Sequence, residues 1–499
     1  MLVVMGLWIM FEVWPTFVNG GVPRGDVALI ALHTRDFLSG DRLVGPYSRF
    51  GFAHPGPLFF AWYALGLALP CSRMGQLLAA QLLLNVLCGV AAMWLARRAP
   101  DPRVSRAFVA VSFLVLLAVS SSDFVRPVAD VWGPVAILFP LCTFLLSIVM
   151  GLQGVSAAWL VAVLTGSACA QNHLGALAPV VATGVYAVAI SWWRSGGRAW
   201  QGFRVPLAAL VLVWLPPLVE ATRSERFGNI GKIARLATSQ KVVGGLVDVA
   251  WRVSTALESG ALLCFAVVAG VVVLCVAPRR SIARDGATVA LVGMCAVWLA
   301  ARNNVGEFHP YLFYSLFVFV AVACSACVVA LTSYSGRGRG AYERVVAAVV
   351  YVVLIGLCVA TLSKYPLVKR YDSTDEERAQ AISRAIVSRM TSGEMPVCFV
   401  QKGNSVYEDI ASVLLVWRDG GRQVFVEPRK GYLYGRYRTD PRCSSRGEFP
   451  GLVVRFESAR EGGDAIANPN KDQSDQLTDL YRDDRVVVLA RIFHETASR

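Results

Sequence analysis

The sequence predicts a multi-span α-helical membrane protein with a small C-terminal α/β domain, and three observations carry this prediction. Hydrophobic residues make up 55% of the chain and charged residues only 16%, whereas soluble globular proteins contain about 25% charged residues. Uncharged stretches such as 76–95, 261–277 and 311–331 approach the roughly 20 apolar residues that a helix needs to cross a bilayer. From Tyr365 onward the long apolar runs stop and charge rises.

We predict about 11 spans in a membrane domain over residues 1–363, followed by an extracytoplasmic domain over residues 364–499. The predicted spans are 1–18, 75–96, 106–121, 132–150, 155–171, 174–193, 205–220, 258–277, 286–302, 308–332 and 345–363.

The arginines fix the orientation, because short cytoplasmic loops collect Lys and Arg. With the N-terminus in the cytoplasm, four basic clusters lie on the cytoplasmic side, and the long loops 19–74 and 221–257 lie outside with the C-terminal domain. This distribution explains the net charge of +14 by topology rather than by nucleic-acid binding. The clusters are Arg97, Arg98, Arg103 and Arg106; Arg194, Arg198 and Arg204; Arg279, Arg280 and Arg284; and Arg337, Arg339 and Arg344.

The C-terminal region alternates between helix and strand patterns, which is typical of an α/β domain. Residues 373–376 fit a capping box before a helix, and a second helix is predicted over about 406–417. Strands are predicted over 396–400, 423–427, 452–456 and 485–493, and a polar loop over 458–480.

Only two of the 12 cysteines lie in this C-terminal region. Because the region is predicted to face an oxidising space, we hypothesise a disulfide between Cys398 and Cys443. Cys324 and Cys327 have CxxC spacing but lie in the middle of a predicted span, which argues against a redox or zinc site there.

The first outer loop carries the most informative residues. Residues 26–39 can form an amphipathic helix with His33, Asp36 and Ser39 on its polar side, and such a helix would rest in the membrane interface. Asp26 stands at its start and has two interpretations. It is a good helix cap, and it is also a candidate general base that takes a proton from an acceptor hydroxyl.

The same loop continues with His54-Pro-Gly-Pro-Leu-Phe-Phe. The prolines favour an extended entry, and the apolar helix that follows to Pro70 is too short to span the bilayer. Arg49 is interpreted either as a bidentate phosphate ligand or as a headgroup anchor. His54 either binds a phosphate or caps the short helix.

These residues resemble the GT-C superfamily of polyprenyl-phosphate-sugar-dependent glycosyltransferases. The similarity lies in an acidic residue before a helix in the first outer loop, a Pro-Pro-Leu-aromatic-like segment and a span that ends in Arg-Arg. Here these are Asp26, His54-Pro-Gly-Pro-Leu58 and Leu95-Ala-Arg-Arg98. Two further segments, 170–173 (AQNH) and 214–217 (WLPP), look similar to elements of actinobacterial members. The resemblance covers about residues 1–363.

The sequence departs from the pattern at two points. Gly56 separates prolines that the pattern keeps adjacent, and Asp26 is followed by Val27 where many members have a second acid. The second departure argues against a metal held by paired carboxylates. No cofactor is predicted, and a divalent metal stays open as the alternative.

The resemblance implies an inverting transfer of a sugar from a polyprenyl phosphate to an envelope glycan, lipid or protein acceptor. Asp26 would be the catalytic base. We assign donor-phosphate binding and substrate binding to two further groups of residues. The phosphate group is Arg49, His54, Lys232, Arg235 and Arg302, and the substrate group is Tyr47, His173 and Glu220.

Two other classes of function remain open at this point. A transporter or flippase of lipid-linked sugars would also have many spans, but transporters place ionisable groups near the membrane midplane. Here four of the five histidines and most acidic residues of the membrane domain collect at the predicted outer edge, with Glu12 in the first span as an exception. A non-catalytic cell-envelope assembly protein is the second alternative.

Overall fold

The computed structural model describes residues 14–335 and 374–493 with internal gaps. The gaps are residues 19, 49, 122–124, 197–199, 240–244, 258–259, 303–308, 391–395, 403–406, 420–423, 428–429, 435–438, 444–448, 450, 459–477 and 483–485. Predicted span 345–363 and most of span 1–18 therefore lie outside the described residues, as do Arg49 and most of the predicted loop 458–480.

Helices dominate the chain up to residue 335. They are α1 (Gly25–Leu38), α2 (Leu58–Gly66), α3 (Arg73–Ala96), α4 (Pro102–Ser120), α5 (Gly133–Ala136), α6 (Leu138–Leu152), α7 (Ala157–Asn172), α8 (Leu177–Ser195), α9 (Trp200–Arg223), α10 (Gly228–Ser239), α11 (Leu246–Ala256), α12 (Gly260–Val276), α13 (Ile282–Ala301) and α14 (Ser315–Ser335). Short 3₁₀ turns precede α8, α10 and α14.

The described residues contain seven helical segments that are long and apolar enough to cross a membrane. They are Arg73–Ala96, Pro102–Ser120, Gly133–Leu152, Leu174–Ser195, Gly202–Arg223, Ile282–Ala301 and Pro310–Thr332. Each overlaps a predicted span. The predicted spans at 155–171 and 258–277 correspond to α7 and α12, which are shorter helices of 16 and 17 residues. The chain is thus a multi-span helical protein, and the total of about 11 spans stays a prediction.

The chain packs into two units. The span unit contains His54–Phe59 and the described part of Ala80–Lys369. The sheet unit contains the described parts of Val13–Ala53, Phe60–Ala79 and Arg370–Arg499. Most of the first outer loop therefore packs with the C-terminal region. The domain boundary that we predicted between residues 363 and 364 stays a prediction, because residues 336–373 lie outside the described part of the chain.

A buried ion pair ties three helices of the span unit together. Arg194, in the last turn of α8, makes two hydrogen bonds of 2.6 and 2.9 Å to the carboxylate of Asp285 in α13. Gln153, just after α6, donates to the same carboxylate at 2.7 Å. Asp285 is almost completely buried, and a buried carboxylate is stable only when its oxygens are paired in this way.

The C-terminal part of the sheet unit is a five-stranded mixed sheet. Its strands are β1 (Val397–Lys402), β2 (Val424–Val426), β3 (Gly451–Ser458), β4 (Thr478–Arg482) and β5 (Val486–Phe493), in the order β2-β1-β3-β5-β4. β1 is parallel to β2 and β3, whereas β5 is antiparallel to β3 and β4. The helices are α15 (Thr374–Val387), α16 (Tyr407–Asp419) and α17 (Gly431–Tyr434).

Most elements of this region were predicted from sequence, including four of the five strands and both longer helices. The prediction missed β4, whose first residues fall in the segment that we interpreted as a loop. The predicted disulfide between Cys398 and Cys443 is present, and it lies in a buried cluster with Val400, Phe449 and Val453.

Helix α1 differs from its predicted character. His33 and Asp36 were placed on a polar, membrane-surface side, but both are completely buried. The His33 ring packs edge to face against Phe60 of α2, and α16 also packs against α1 within the sheet unit. The sequence pattern of a helix shows which of its faces is most apolar. It does not show whether another helix packs against its polar face.

The packing of α13 generates a stability prediction. A Cβ atom on Gly293 would overlap the ring of Phe319 on α14, and that ring is fully buried. We expect Gly293→Ala to lower the free energy of unfolding by about 1–3 kcal/mol because a packed core resists added volume. Thermal unfolding of the detergent-solubilised protein measures this.

Gly184→Ala is the matched control, because Gly184 also lies inside a helix but has no neighbouring atom within 4 Å of the position that a Cβ would occupy. This variant should unfold at or above the wild-type temperature, since alanine favours helix more than glycine does. Equal losses in the two variants would contradict the packing argument.

Candidate functional site

Asp26 lies in the first turn of α1, not at its cap. The helix begins at Gly25, whose φ of 58° suits glycine, and Arg24 occupies the N-cap position without a side-chain capping bond. The helix-cap interpretation of Asp26 is therefore wrong.

Two phenol groups hold the Asp26 carboxylate. Tyr47 donates its hydroxyl to Oδ1 at 2.5 Å, and Tyr407 donates to the same oxygen at 3.0 Å. All three side chains are partly buried and lie in the sheet unit. Burial, followed by the charge of Asp26, raises the pKa of Tyr47 and of Tyr407 well above the ordinary value. Both phenols therefore stay protonated at physiological pH and remain hydrogen-bond donors.

A short turn positions Tyr47. Tyr47 forms an antiparallel bridge with Ala53, and the Ser48 amide donates to the Phe52 carbonyl at 2.8 Å. Gly51 has a φ of 81°, which closes the turn. This turn brings Tyr47, predicted as a substrate-binding residue, to the predicted base Asp26.

A second polar group lies in the span unit and contains His54 and His173. Their ring centroids are 5.3 Å apart, and His54 Nδ1 accepts a hydrogen bond of 3.0 Å from the amide of Leu174. Burial lowers the pKa of His173 to about 4. Burial, and then the neighbouring His173, lowers the pKa of His54 as well. Both imidazoles are thus neutral at pH 7. They interact with their neighbours through hydrogen bonds and not through a positive charge.

Gln171 explains why a glycine separates the two prolines. The Gly56 amide donates to the Gln171 carbonyl at 3.4 Å, and a Cβ on Gly56 would overlap Oε1 of the Gln171 side chain. A proline at position 56 would lack that donor, and any larger residue would displace the buried Gln171.

The Gln171 side chain also supports α9. Its Nε2 donates at 2.8 Å to the carbonyl of Val213. In a regular helix that carbonyl would accept from residue 217, but Pro217 has no N–H. The next residue of α9, Trp214, donates to Ser167 Oγ at 3.2 Å. Three of the five elements that carry the family resemblance, around His54, His173 and Trp214, therefore meet in the span unit.

Glu220 caps α10. Its carboxylate accepts from the Asn229 amide at 3.1 and 3.3 Å and from the Ser224 hydroxyl at 3.0 Å. The Glu220 carboxylate thereby occupies the N-terminus of this helix, where a helix favours an anion. Asn229 in turn donates to the carbonyl of His54 at 3.5 Å, which connects α10 to the histidine pair.

The other predicted phosphate ligands are less closely grouped. Lys232 and Arg235 lie on α10, the first partly buried and the second exposed. Arg302 follows α13 directly and is partly buried. Arg49 lies outside the described residues. Within the part of the chain that the structure describes, no cluster of three or more His, Cys, Asp or Glu side chains is arranged to hold a metal ion.

Sequence reasoning missed Tyr407, Gln171 and Asn229. The segment containing Gln171 was noticed only as part of a resemblance. Tyr407 is 381 residues from Asp26, and no local pattern in the sequence connects them. A single tyrosine at the start of a helix carries no signal of this contact.

Comparison with solved structures identifies the fold. ArnT from Cupriavidus metallidurans bound to undecaprenyl phosphate superimposes with a TM-score of 0.57, at 16% identity over 98% of each chain. The apo state of the same protein gives a TM-score of 0.56 at 15% identity, over 98% of this chain and 97% of that one. An oligosaccharyltransferase from Archaeoglobus fulgidus, in a complex with Zn and sulfate, gives 0.50 at 12% identity, over 94% of this chain and 70% of that one.

The predicted resemblance to the GT-C superfamily is thereby confirmed at the level of the fold. No protein-family model matches the sequence, and no curated protein sequence matches it. At identities of 12–16%, short motifs carry the likeness in the sequence, whereas the structure shows it over nearly the whole chain.

The contact between Gly56 and Gln171 generates a second stability prediction. We expect Gly56→Ala to destabilise the protein by about 1–3 kcal/mol, measured by thermal unfolding in detergent. The same change in a Gln171→Ala background should cost less, because the atoms that the new Cβ would meet are gone. Additive losses would contradict the direct contact.

The histidine pair generates a prediction about pH. The pKa of His173 is about 4 in the folded protein, against an ordinary value of 6.5, so the unfolded chain binds more protons between these values. Its contribution to stability is complete above about pH 6.5 and is lost as the pH falls towards 4. We expect the unfolding temperature to drop between pH 7 and 4.5, and to drop less in His173→Gln. Equal drops in both proteins would contradict this assignment.

Proposed function

We propose that this protein is an inverting glycosyltransferase that moves a sugar from a polyprenyl-phosphate carrier to an acceptor at the outer face of the membrane. One observation carries the proposal: a carboxylate at the start of the first-loop helix, held by two neutral hydroxyl donors, in a chain that has the fold of ArnT. ArnT was solved bound to undecaprenyl phosphate, a lipid carrier of the proposed chemical class.

Asp26 acts as the general base in this mechanism. The acceptor hydroxyl attacks the anomeric carbon of the sugar while its proton passes to the Asp26 carboxylate. The bond from the anomeric carbon to the phosphate oxygen breaks, and polyprenyl phosphate leaves with the bonding electrons. A single displacement inverts the anomeric configuration. Positioned donors such as Tyr47 hold the carboxylate in line with the attacking oxygen. Holding a catalytic group in its reactive geometry accelerates the reaction.

Cations hold the departing phosphate, whose negative charge grows as the bond breaks. Arg49, Lys232, Arg235 and Arg302 remain the candidates for this role from sequence, with His54 as a neutral donor. His173 and Glu220 remain candidates for substrate binding. The proposed location is the cell membrane, with the N-terminus in the cytoplasm and the C-terminal region outside. The acceptor is an envelope glycan, lipid or protein.

The proposed mechanism assigns no step to a resident metal, because Asp26 is followed by Val27 and not by a second acid that would pair with it. The sugar transfer then relies on the base and on cationic side chains. Release of polyprenyl phosphate should consequently proceed at the same rate with and without a chelator.

The test follows polyprenyl phosphate release by purified protein incubated with a panel of polyprenyl-phosphoryl sugars. We expect release by the wild type and a fall of about 100-fold or more in Asp26→Asn, since general bases typically contribute 10²–10⁴. The asparagine keeps the shape of the side chain but cannot accept the proton.

Asp41→Asn is the matched control, because Asp41 is an exposed carboxylate of the same loop. It should retain wild-type release. Full activity of Asp26→Asn would remove Asp26 from the mechanism. Movement of the intact lipid-linked sugar across a vesicle membrane, with no release of polyprenyl phosphate, would instead identify a flippase.

A further inference from the structure

We propose that Tyr407 is a positioning residue for the Asp26 base, so that the C-terminal region completes the catalytic group instead of serving only as a cover or a binding module. This inference rests on the proposed function and goes beyond it, because it assigns a role in the reaction to a part of the chain without a catalytic motif of its own.

The geometry at Asp26 is the first argument. Both phenols donate to the same oxygen, Oδ1, and they come from different elements, the loop turn at Tyr47 and the start of α16 at Tyr407. The two rings meet edge to face, with centroids 6.3 Å apart. Two donors that converge on one oxygen from separate directions fix the rotation of the carboxylate about its Cβ–Cγ bond. One donor alone would leave that rotation freer.

The attachment of α16 to α1 is the second argument. Arg24, which precedes α1, forms ion pairs with Glu408 at 3.2 Å and with Asp409 at 3.7 Å. One turn further on, Ser412 donates to the carbonyl of Pro23 at 3.1 Å.

The same attachment continues to the far end of both helices. Arg418, in the last turn of α16, donates to Ser39 Oγ at 2.8 Å, just beyond α1. The contacts thus extend along the whole of α16. They fix the register of this helix against α1. The position of Tyr407 next to Asp26 therefore depends on these contacts as well as on its own hydrogen bond.

Packing within the sheet unit is the third argument. Trp417 of α16 is almost fully buried, contacts the ring of Phe399 in β1 and donates to Ser383 of α15. The helix that carries Tyr407 is therefore a fixed part of the C-terminal fold. A side chain on such an element is held more precisely than one on a free loop.

The experiment compares steady-state kinetics of the full-length wild type and Tyr407→Phe, with a polyprenyl-phosphoryl sugar that the wild type uses. The substitution removes one hydroxyl and keeps the partly buried ring. We expect kcat to fall about 10- to 100-fold, the range that a misplaced catalytic group can cost, while KM for the lipid donor changes less than twofold.

The pH profile is the second readout. A hydroxyl that donates to a carboxylate favours the charged form that acts as base. Without it, the acidic limb of the kcat–pH profile should move to higher pH. Tyr47→Phe removes the other donor to the same oxygen, so it should change kcat and the acidic limb in the same direction.

Tyr434→Phe is the matched control. Tyr434 is a buried tyrosine of the same unit whose hydroxyl donates to Gln401 at 3.0 Å. The Tyr434→Phe variant should lower the free energy of unfolding about as much as Tyr407→Phe does, but it should leave the kcat–pH profile unchanged. Equal kcat and equal pH profiles in the two variants would overturn the inference, as would a rise in KM that accounts for the whole loss in Tyr407→Phe.

The two proposals fail in distinguishable ways. If Asp26→Asn is inactive and Tyr407→Phe behaves like Tyr434→Phe, the glycosyltransferase proposal stands and only the role of Tyr407 is overturned. If Asp26→Asn keeps full activity, the base itself is wrongly assigned, and the positioning role of Tyr407 falls with it.

Discussion

The hydrogen bonds on the Asp26 carboxylate are the interaction on which the functional interpretation depends. A partly buried carboxylate loses water and must be compensated by donors, and here Tyr47 and Tyr407 supply them. This requirement explains features that otherwise look unrelated: the turn closed by Gly51, the left-handed Gly25 at the start of the helix, and the polar contacts between α1 and α16. Each of these features brings a donor to the carboxylate or holds the helix that carries it.

The span unit follows a similar principle with backbone groups. Pro217 leaves the Val213 carbonyl in α9 without its usual partner, and a carbonyl inside a membrane has no water to replace it. Gln171 supplies the missing donor. Because Gln171 must approach closely, position 56 is a glycine, and the proline pair of the family pattern is interrupted. The glycine that interrupts the proline pair thus makes room for Gln171, which belongs to the 170–173 segment. The two segments depend on each other for this contact.

The sequence predicted the helical class, the positions of the spans that the structure describes, most of the C-terminal strands and the Cys398–Cys443 bond. These depend on hydrophobic periodicity, span length and compartment, all of which are local or compositional. It did not predict the burial of His33 and Asp36, because burial depends on which distant element packs against a helix. It identified Asp26 as either a helix cap or a general base. Only the structure shows that the helix begins at Gly25, because this distinction depends on one or two residues at the helix start.

The choice of phenols as partners has a chemical consequence for a base. A cation paired with a carboxylate stabilises its charge strongly and makes it a poorer proton acceptor, whereas a neutral hydroxyl orients the group at a smaller loss of basicity. Tyr47 and Tyr407 serve this purpose well, because burial raises their pKa values and keeps them neutral at physiological pH. Arg24, the nearby cation at the start of α1, forms ion pairs with Glu408 and Asp409. The segment of α16 that supplies the neutral donor Tyr407 thus also supplies the two acidic partners of Arg24.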